Sequence, residues 1–265
     1  MYDLIIIGGK VVDGTGSPPR AADLAISNGL ISEIAEPGKL PVSDANVLNA
    51  AGAVVTPGFV DPHTHYDGQV TWDSILAPSS WHGVTTAVMG NCGVGFAPAK
   101  IDQRNRLIEL MEGVEDIPGS ALHEGMKWDW ETFPEYLDAL EKLPRTMDIA
   151  AQVPHGPLRL FVMGERGAAQ ETATQFDLEK MADIVRESIG AGAVAFSTNR
   201  MPLHTSVDGE PVPGTFAEVA ELETLAHAVV EGGGELLQSI PAGAMAEDPH
   251  ALMNEVVMYK NLAKK

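Results

Sequence analysis

The chain has 265 residues, of which 45% are hydrophobic, and a formal net charge of −20 at pH 7. This acidity excludes nucleic-acid partners, which require a basic surface, and docking on anionic lipid. No apolar stretch is long enough to span a bilayer, the first apolar run is too short for a signal peptide, and the single cysteine, Cys92, excludes an internal disulfide. These features predict a cytoplasmic globular protein with a sizeable core.

Residues 1–53 contain short apolar runs separated by turn residues, which predicts a small N-terminal β segment. Asn28-Gly29 lies between two of these runs and is a strong hairpin signal, because both residues tolerate the positive φ angles of a tight turn. The predicted strands cover residues 4–7, 10–13, 22–26 and 30–34.

From residue 54 to residue 265, apolar runs alternate with helical stretches, which is typical of an α/β domain with a parallel sheet and crossover helices. The first run, residues 54–60, is rich in β-branched side chains and predicts a strand buried on both faces. About five such strands can be counted, at residues 54–60, 83–89, 147–153, 191–196 and 234–237.

The sequence contains start or end signals for three of the intervening helices. Thr132 with Glu135 and Thr215 with Glu218 both fit the capping box, in which a hydroxyl and a carboxylate each bind a free amide at the helix start. An amphipathic pattern over residues 176–189 predicts a further helix that ends at Gly190.

Two histidines follow the first predicted core strand. His63 and His65 flank Thr64, and residues two apart in an extended segment point to the same side, so both imidazoles face one space. The end of a parallel strand at which they lie is the end where ligands bind. A chance pair of polar histidines is the alternative interpretation of this motif on its own.

Cys92 follows the second predicted strand, so it lies at the same end of the sheet as the two histidines. The interval from His65 to Cys92 is about one βαβ step, roughly 30 residues. Imidazole and thiolate ligands together favour zinc over magnesium or calcium, which prefer oxygen. His63, His65 and Cys92 are therefore the predicted metal ligands. The alternative for Cys92 is an unreactive buried side chain.

Three further residues at the ends of later strands are candidate substrate contacts. His155 follows the third predicted strand, with a structural histidine in a turn as the alternative. Arg200 follows the fourth, where a guanidinium can bind a substrate carboxylate through two hydrogen bonds; a solvated loop charge is the alternative. His204 lies in the same loop as Arg200.

These motifs carry a family resemblance. The run from Thr56 to His65, with its Pro-Gly-Phe-x-Asp-x-His-x-His pattern, resembles the amidohydrolase superfamily. Asn91-Cys92-Gly93 after the second strand is similar to the D-aminoacylase (N-acyl-D-amino-acid deacylase) branch. The resemblance extends through essentially the whole chain and weakens after Gly232.

The resemblance implies a metal-dependent hydrolase with a TIM-like (β/α) barrel and a small β-sandwich, which residues 1–53 would help to build. It implies that His63 and His65 bind zinc from the first strand and that the Cys92 thiolate binds or bridges one or two zinc ions. The implied substrate is a small N-acyl amino acid or a related amide. The general base is not identified in the sequence.

Two departures from that pattern lead to a second hypothesis. The resemblance implies a histidine ligand on the fifth strand, where this sequence has Gln238 and Ser239. A closed barrel needs eight strands, whereas about five are predicted. We therefore expect an incomplete barrel, either a fragment that lacks a C-terminal half or a chain that pairs with a partner or a second copy. A non-catalytic amidohydrolase scaffold is the alternative function.

Overall fold

The computed structural model describes residues 2–42, 45–245 and 248–264. The chain divides into two units, Met1–Phe59 and Val60–Lys265. The division lies slightly after the boundary at residue 53 expected from the sequence. No helix in the described parts of the chain is long and apolar enough to cross a membrane.

The first unit is a mixed five-stranded sheet. Strands β1 to β3 are antiparallel neighbours, and β4 and β5 run parallel to β1. The strands are β1 Leu4–Val11, β2 Arg20–Ser27, β3 Leu30–Ala35, β4 Asn46–Asn49 and β5 Val54–Val55. Asn28 and Gly29 have φ angles of 52° and 75°, so the predicted hairpin turn is confirmed. The two strands predicted within residues 4–13 are instead one strand, β1, with a bulge between Ile6 and Gly9.

The predicted buried strand over residues 54–60 is wrong. Val54–Val55 belongs to the first sheet, whereas β6, Phe59–Asp61, belongs to the second. Pro57-Gly58 separates them, because proline lacks the amide needed for the ladder and glycine weakens a strand. Val54 is 59% exposed and Val60 61% exposed. The run is a connection between two sheets and not a core strand.

The second unit contains a five-stranded sheet in the order β10-β9-β8-β7-β6, and β7 to β10 are parallel neighbours. Its later strands are β7 Val84–Met89, β8 Asp148–Pro154, β9 Ala195–Asn199 and β10 Leu237–Ile240. This confirms the predicted incomplete barrel with about five strands. β9 and β10 begin later than predicted. Ala191 caps the preceding helix α6 and Gly192 follows it in a turn, and the Gly234 amide still bonds the Val229 carbonyl at the end of the helix before β10.

Helices cover the second sheet and form the main core with it. They are α1 Arg104–Glu115, α2 Gly119–Gly125, α3 Phe133–Glu141, α4 His155–Met163, α5 Glu165–Ala168, α6 Gln175–Gly190, α7 Val219–Glu231 and α8 Pro249–Leu262. Val153, Val185, Phe196 and Leu225 are fully buried between sheet and helices. Each such side chain contributes roughly 1.5–3 kcal/mol relative to exposure.

Two of the three predicted helix ends are confirmed. Thr132 caps α3 with the predicted reciprocal bonds to Glu135, and α6 matches the predicted helix to within a residue at each end. The capping box at Thr215 is wrong. The Thr215 hydroxyl donates to the Val212 carbonyl and accepts from the Asn199 amide, and α7 begins only at Val219.

Candidate metal centre

The histidine segment is fixed beside β7 through Thr64. The backbone amide and the hydroxyl of Thr64 both donate to the Val88 carbonyl, at 2.9 and 2.8 Å. Thr64 is buried, and the imidazoles of its two neighbours meet edge to face, with ring centroids 5.4 Å apart. His63 and His65 therefore share one space, as the i, i+2 spacing predicts.

Cys92 lies in a tight turn, Asn91–Gly93, directly after β7. Its own φ angle is 54°, and Gly90 and Gly93 have φ angles of 80° and 68°, so three of four successive residues adopt the left-handed region. The Asn91 side-chain amide donates to the carbonyl oxygens of Thr64 and Val88. This buried amide links the turn that carries Cys92 to the segment that carries the histidines.

The three predicted ligands come together. Cys92 Sγ lies 3.2 Å from His63 Nε2, and one donor atom from each of His63, His65 and Cys92 lies within 4.8 Å of the other two. Zinc–ligand bonds of 2.0–2.3 Å in tetrahedral geometry separate donor atoms by about 3.3–3.6 Å. The cluster is therefore close to the size that zinc requires. His65 Nδ1 is also buried without a hydrogen-bond partner among the described residues. The donor set fits a zinc ion.

Burial favours the uncharged forms of two predicted ligands. Burial, with the nearby carboxyls of Glu115 and Asp67, raises the pKa of the Cys92 thiol to about 12. Burial, with the proximity of His63 and His204, lowers the pKa of His65 to about 3, so this imidazole is neutral and keeps a lone pair. A bound divalent ion reverses the effect on a thiol, because coordination deprotonates it.

Two carboxyl groups beside the cluster were not identified from the sequence. Asp67 is buried, Oδ2 has no partner within the described ranges, and burial raises its pKa to about 8. Glu115 lies at the end of α1, with Oε1 3.1 Å from His65 Nε2. Burial, with the neighbouring charge of Asp116, raises the pKa of Glu115 to about 7. Asp67 follows the histidine motif closely and could have been found, but nothing in the sequence around Glu115 indicates its position.

The three predicted substrate contacts have different surroundings. His155 is fully buried at the start of α4, and its two ring nitrogens lie 2.8 Å from Thr198 Oγ1 and 2.7 Å from Glu221 Oε1. Arg200 contacts Glu255 at 3.3 Å. His204 is half-buried. Burial lowers the pKa of His204, and the nearby His63 imidazole lowers it further. Their role as substrate contacts stays a prediction, and the described contacts favour His204.

The fifth strand supports the turn around Cys92. Gln238, at the position where the resemblance implies a histidine, accepts a hydrogen bond from the Cys92 amide through Oε1 at 3.1 Å. Ser239 Oγ lies 2.5 Å from the Tyr259 hydroxyl. Gln238, on the edge strand β10, therefore holds the backbone of a predicted ligand that follows β7, three strands away in the sheet.

A comparison with known families agrees with this geometry. The model of the amidohydrolase family matches residues 46–265. The chain belongs to the amidohydrolase family. Among curated relatives of this amidohydrolase, a D-aminoacylase from Alcaligenes xylosoxydans xylosoxydans is 34% identical over 200 residues, which cover 74% of this chain and 37% of that protein.

Solved structures give the same result. N-acyl-D-glutamate deacylase from Bordetella bronchiseptica, complexed with zinc and a phosphonate inhibitor, is 31% identical with a TM-score of 0.71, and the match covers 97% of this amidohydrolase and 48% of that chain. A D-aminoacylase described with a binuclear metal center is 27% identical with a TM-score of 0.77, over 100% of this chain and 49% of that one. The predicted resemblance to D-aminoacylases is confirmed, and the chain spans about half or less of the length of these relatives.

Proposed function

We propose that this amidohydrolase is a metal-dependent hydrolase of the amide bond in N-acyl-D-amino acids or related N-acyl compounds. The observation that carries the proposal is the convergence of His63, His65 and Cys92, with all donor atoms within 4.8 Å. The relatives named D-aminoacylase and N-acyl-D-glutamate deacylase support the substrate class. We further propose that the bound metal is zinc, as one or two ions.

The chemistry follows from the donor set. Zinc, when bound, polarises the scissile carbonyl and lowers the pKa of a bound water toward neutrality. His63 and His65 would hold the ion through imidazole lone pairs, and Cys92 would hold it through its sulfur as a thiolate. Gln238 and Asn91 keep the turn of Cys92 in place through the bonds to the Cys92 amide and the Thr64 carbonyl.

The proposal is tested by incubating the zinc-loaded chain with N-acetyl-D- and N-acetyl-L-amino acids, including methionine, aspartate and glutamate, and measuring the free amino acid released. We expect hydrolysis of at least one D-substrate, abolished in His63→Asn and retained in His82→Asn. His82 is an exposed histidine before β7 and serves as the matched control. Absence of hydrolysis from a zinc-loaded, folded chain would refute the proposed activity.

A second candidate is a non-catalytic or incomplete scaffold whose sheet is completed by other polypeptide. It is favoured by a surface groove of about 720 Å³ beside the edge strand β10. Apolar side chains line the groove, among them Val230 of α7, Leu236 directly before β10 and Val256 of α8. Light scattering during size-exclusion chromatography distinguishes the candidates. A stable monomer that hydrolyses substrate contradicts the scaffold, and an inactive assembly supports it.

We also propose that the protein acts in the cytoplasm on small molecules. The single cysteine is compatible with a reducing compartment, and the net charge of −20 disfavours nucleic acid and anionic lipid as partners. Fractionation of cells that express the tagged chain tests the location, and recovery mainly with the membrane fraction would contradict it.

A further inference from the structure

One buried hydroxyl group binds both ends of the turn that carries Cys92. Ser197 is a fully buried residue of β9, and its Oγ donates to the Gly90 carbonyl and accepts from the Gly93 amide at 3.2 Å. Asn91 and Cys92 lie between these two glycines. A hydroxyl suits this place, because it has a hydrogen to donate and lone pairs that accept. The side chain of Ser197 therefore closes the turn.

A side chain of the neighbouring strand holds the middle of the same turn. Gln238 of β10 is the direct partner of Ser197 in the parallel pairing of β9 and β10, so both side chains project from the same face of the sheet. Gln238 Oε1 accepts from the Cys92 amide at 3.1 Å. Two adjacent positions of the sheet therefore bind three of the four residues of the turn.

The turn depends on such support because its backbone is strained. Cys92 has a φ angle of 54°, a region that side chains other than glycine rarely adopt. A residue in this region costs free energy and persists only where the surrounding structure fixes it. Without the Ser197 hydroxyl, the buried Gly90 carbonyl and Gly93 amide lose this partner, and the turn is free to relax.

The backbone of the turn decides where the Cys92 sulfur lies. Sγ is 3.2 Å from His63 Nε2, and one donor atom from each of His63, His65 and Cys92 lies within 4.8 Å of the other two. Zinc–sulfur bonds of about 2.3 Å tolerate departures of only roughly 0.2 Å. A small movement of the turn is therefore enough to weaken the bond to a metal ion.

The next residue of β9 provides an internal comparison. Thr198 is also fully buried, but successive residues of a strand point to opposite faces, and Thr198 Oγ1 lies 2.8 Å from His155 Nδ1 at the start of α4. Thr198→Val removes a buried hydroxyl from the same strand and keeps the shape of the side chain. It reports what the loss of a buried hydroxyl does to the fold in general.

We propose that Ser197 is a positioning residue, which fixes the turn from Gly90 to Gly93 so that the Cys92 sulfur lies where the metal binds. The inference rests on the metal centre proposed above. Ser197 acts through the backbone of the turn and supplies no electron pair to the ion. Removal of a group that supports a metal ligand typically weakens metal binding about 10–100-fold.

The first test measures zinc affinity by competition with a chromophoric chelator at one pH. We expect Ser197→Ala to weaken zinc binding about 10–100-fold, whereas Thr198→Val should keep the affinity of the parent chain. Far-UV circular dichroism and urea unfolding show that each variant is folded under the conditions of the titration.

The second test needs no metal. Cys92 is the single cysteine of the chain, so the reaction of the zinc-free protein with a chromogenic disulfide reagent reports this residue alone. Only 4% of Cys92 is exposed, and the reagent reaches the sulfur when the structure around it opens. We expect Ser197→Ala to react faster than both the parent chain and Thr198→Val at the same pH.

The third test uses the unaltered chain, so it does not depend on a variant folding. Hydrogen exchange of the zinc-free protein is followed by nuclear magnetic resonance. The Gly93 amide is expected to exchange slowly, because Ser197 Oγ accepts from it. Exchange as fast as that of the exposed Gly16 amide would overturn the role of Ser197.

The outcomes separate the two proposals. A parent chain that binds no zinc overturns both the metal centre and the role of Ser197 in it. A parent chain that binds zinc, with Ser197→Ala at the same affinity, overturns the role of Ser197 alone. Equal reactivity of Cys92 in Ser197→Ala and Thr198→Val also overturns that role and leaves the metal centre in place.

Discussion

Cys92 Sγ lies 3.2 Å from His63 Nε2, although 29 positions separate the two residues in the chain. The contact depends on the turn after β7, which reverses the chain within a few residues. Gly90, at a φ angle of 80°, is the first residue of that reversal, and a Cβ atom there would collide with the Gln152 carbonyl. The geometry of the proposed metal ligands is therefore sensitive to a position that carries no side chain.

Gly90→Ala is expected to destabilise the protein and weaken zinc binding together, because the new methyl group displaces the turn that carries Cys92. Gly209→Ala is the matched control. Its φ angle is 84°, but no atom lies within 4 Å of the added Cβ, so it bears the backbone strain without the collision. Urea unfolding and zinc titration measure both effects. Equal losses in the two variants would contradict the steric argument.

Glu221→Gln is expected to lower the free energy of unfolding by about 3–5 kcal/mol. The Glu221 carboxylate accepts from Arg159 at 2.6 Å and lies 2.7 Å from His155, and the Arg159 side chain is only 2% exposed. Removal of the charge leaves a buried guanidinium without its counterion. The control is Glu231→Gln, which breaks an exposed pair with Arg186 and should cost much less, because solvent screens exposed ion pairs. Similar losses of unfolding free energy in Glu221→Gln and Glu231→Gln, measured with urea, would refute the stabilising role of the buried charge.

Asp177→Asn is expected to reduce stability at neutral pH and to flatten its acid dependence. Burial opposes ionisation of Asp177, but hydrogen bonds from Arg166 and Thr174 outweigh it and hold the pKa below its usual 3.8. A lowered pKa stabilises the folded state above pH 3.8, and this stabilisation is lost as the pH falls through the lower folded value. Hydrogen bonds to a charged group contribute roughly 1.5–3 kcal/mol.

The measurement for Asp177 is urea unfolding at a series of pH values between 2 and 7. Asp183→Asn is the control, because Asp183 is 62% exposed and pairs with Arg186 one helical turn away. We expect the parent and Asp183→Asn to lose stability together below pH 4, while Asp177→Asn changes less. If the unfolding free energy of all three proteins falls with pH in the same way, the hydrogen bonds of Asp177 do not contribute to the acid dependence of stability.

The sequence predicted the features that depend on local chemistry. The Asn28-Gly29 hairpin and the Thr132 cap follow from residue types at fixed spacing, and both are present. The grouping of His63, His65 and Cys92 follows from the rule that parallel strands end at one edge of a sheet. Each of these predictions needs only neighbouring residues or the direction of two adjacent strands.

The features that were missed depend on contacts between distant segments. The apolar pattern of residues 54–60 predicts a buried strand, yet Pro57-Gly58 divides these residues between two sheets. His155 is enclosed by Thr198 and Glu221, which follow it by 43 and 66 positions. Glu115 approaches His65 only because a helix end packs against a remote loop. No local pattern encodes such contacts.

We propose that His63, His65 and Cys92 form a zinc centre, and the decisive measurement is metal analysis of the purified chain by inductively coupled plasma mass spectrometry. After zinc loading and removal of unbound ion, we predict at least about one zinc per chain in the parent. His82→Asn should match it, whereas Cys92→Ala should retain little. A parent chain without zinc, or a folded Cys92→Ala with the parent's full zinc content, would show that these residues do not form a zinc centre.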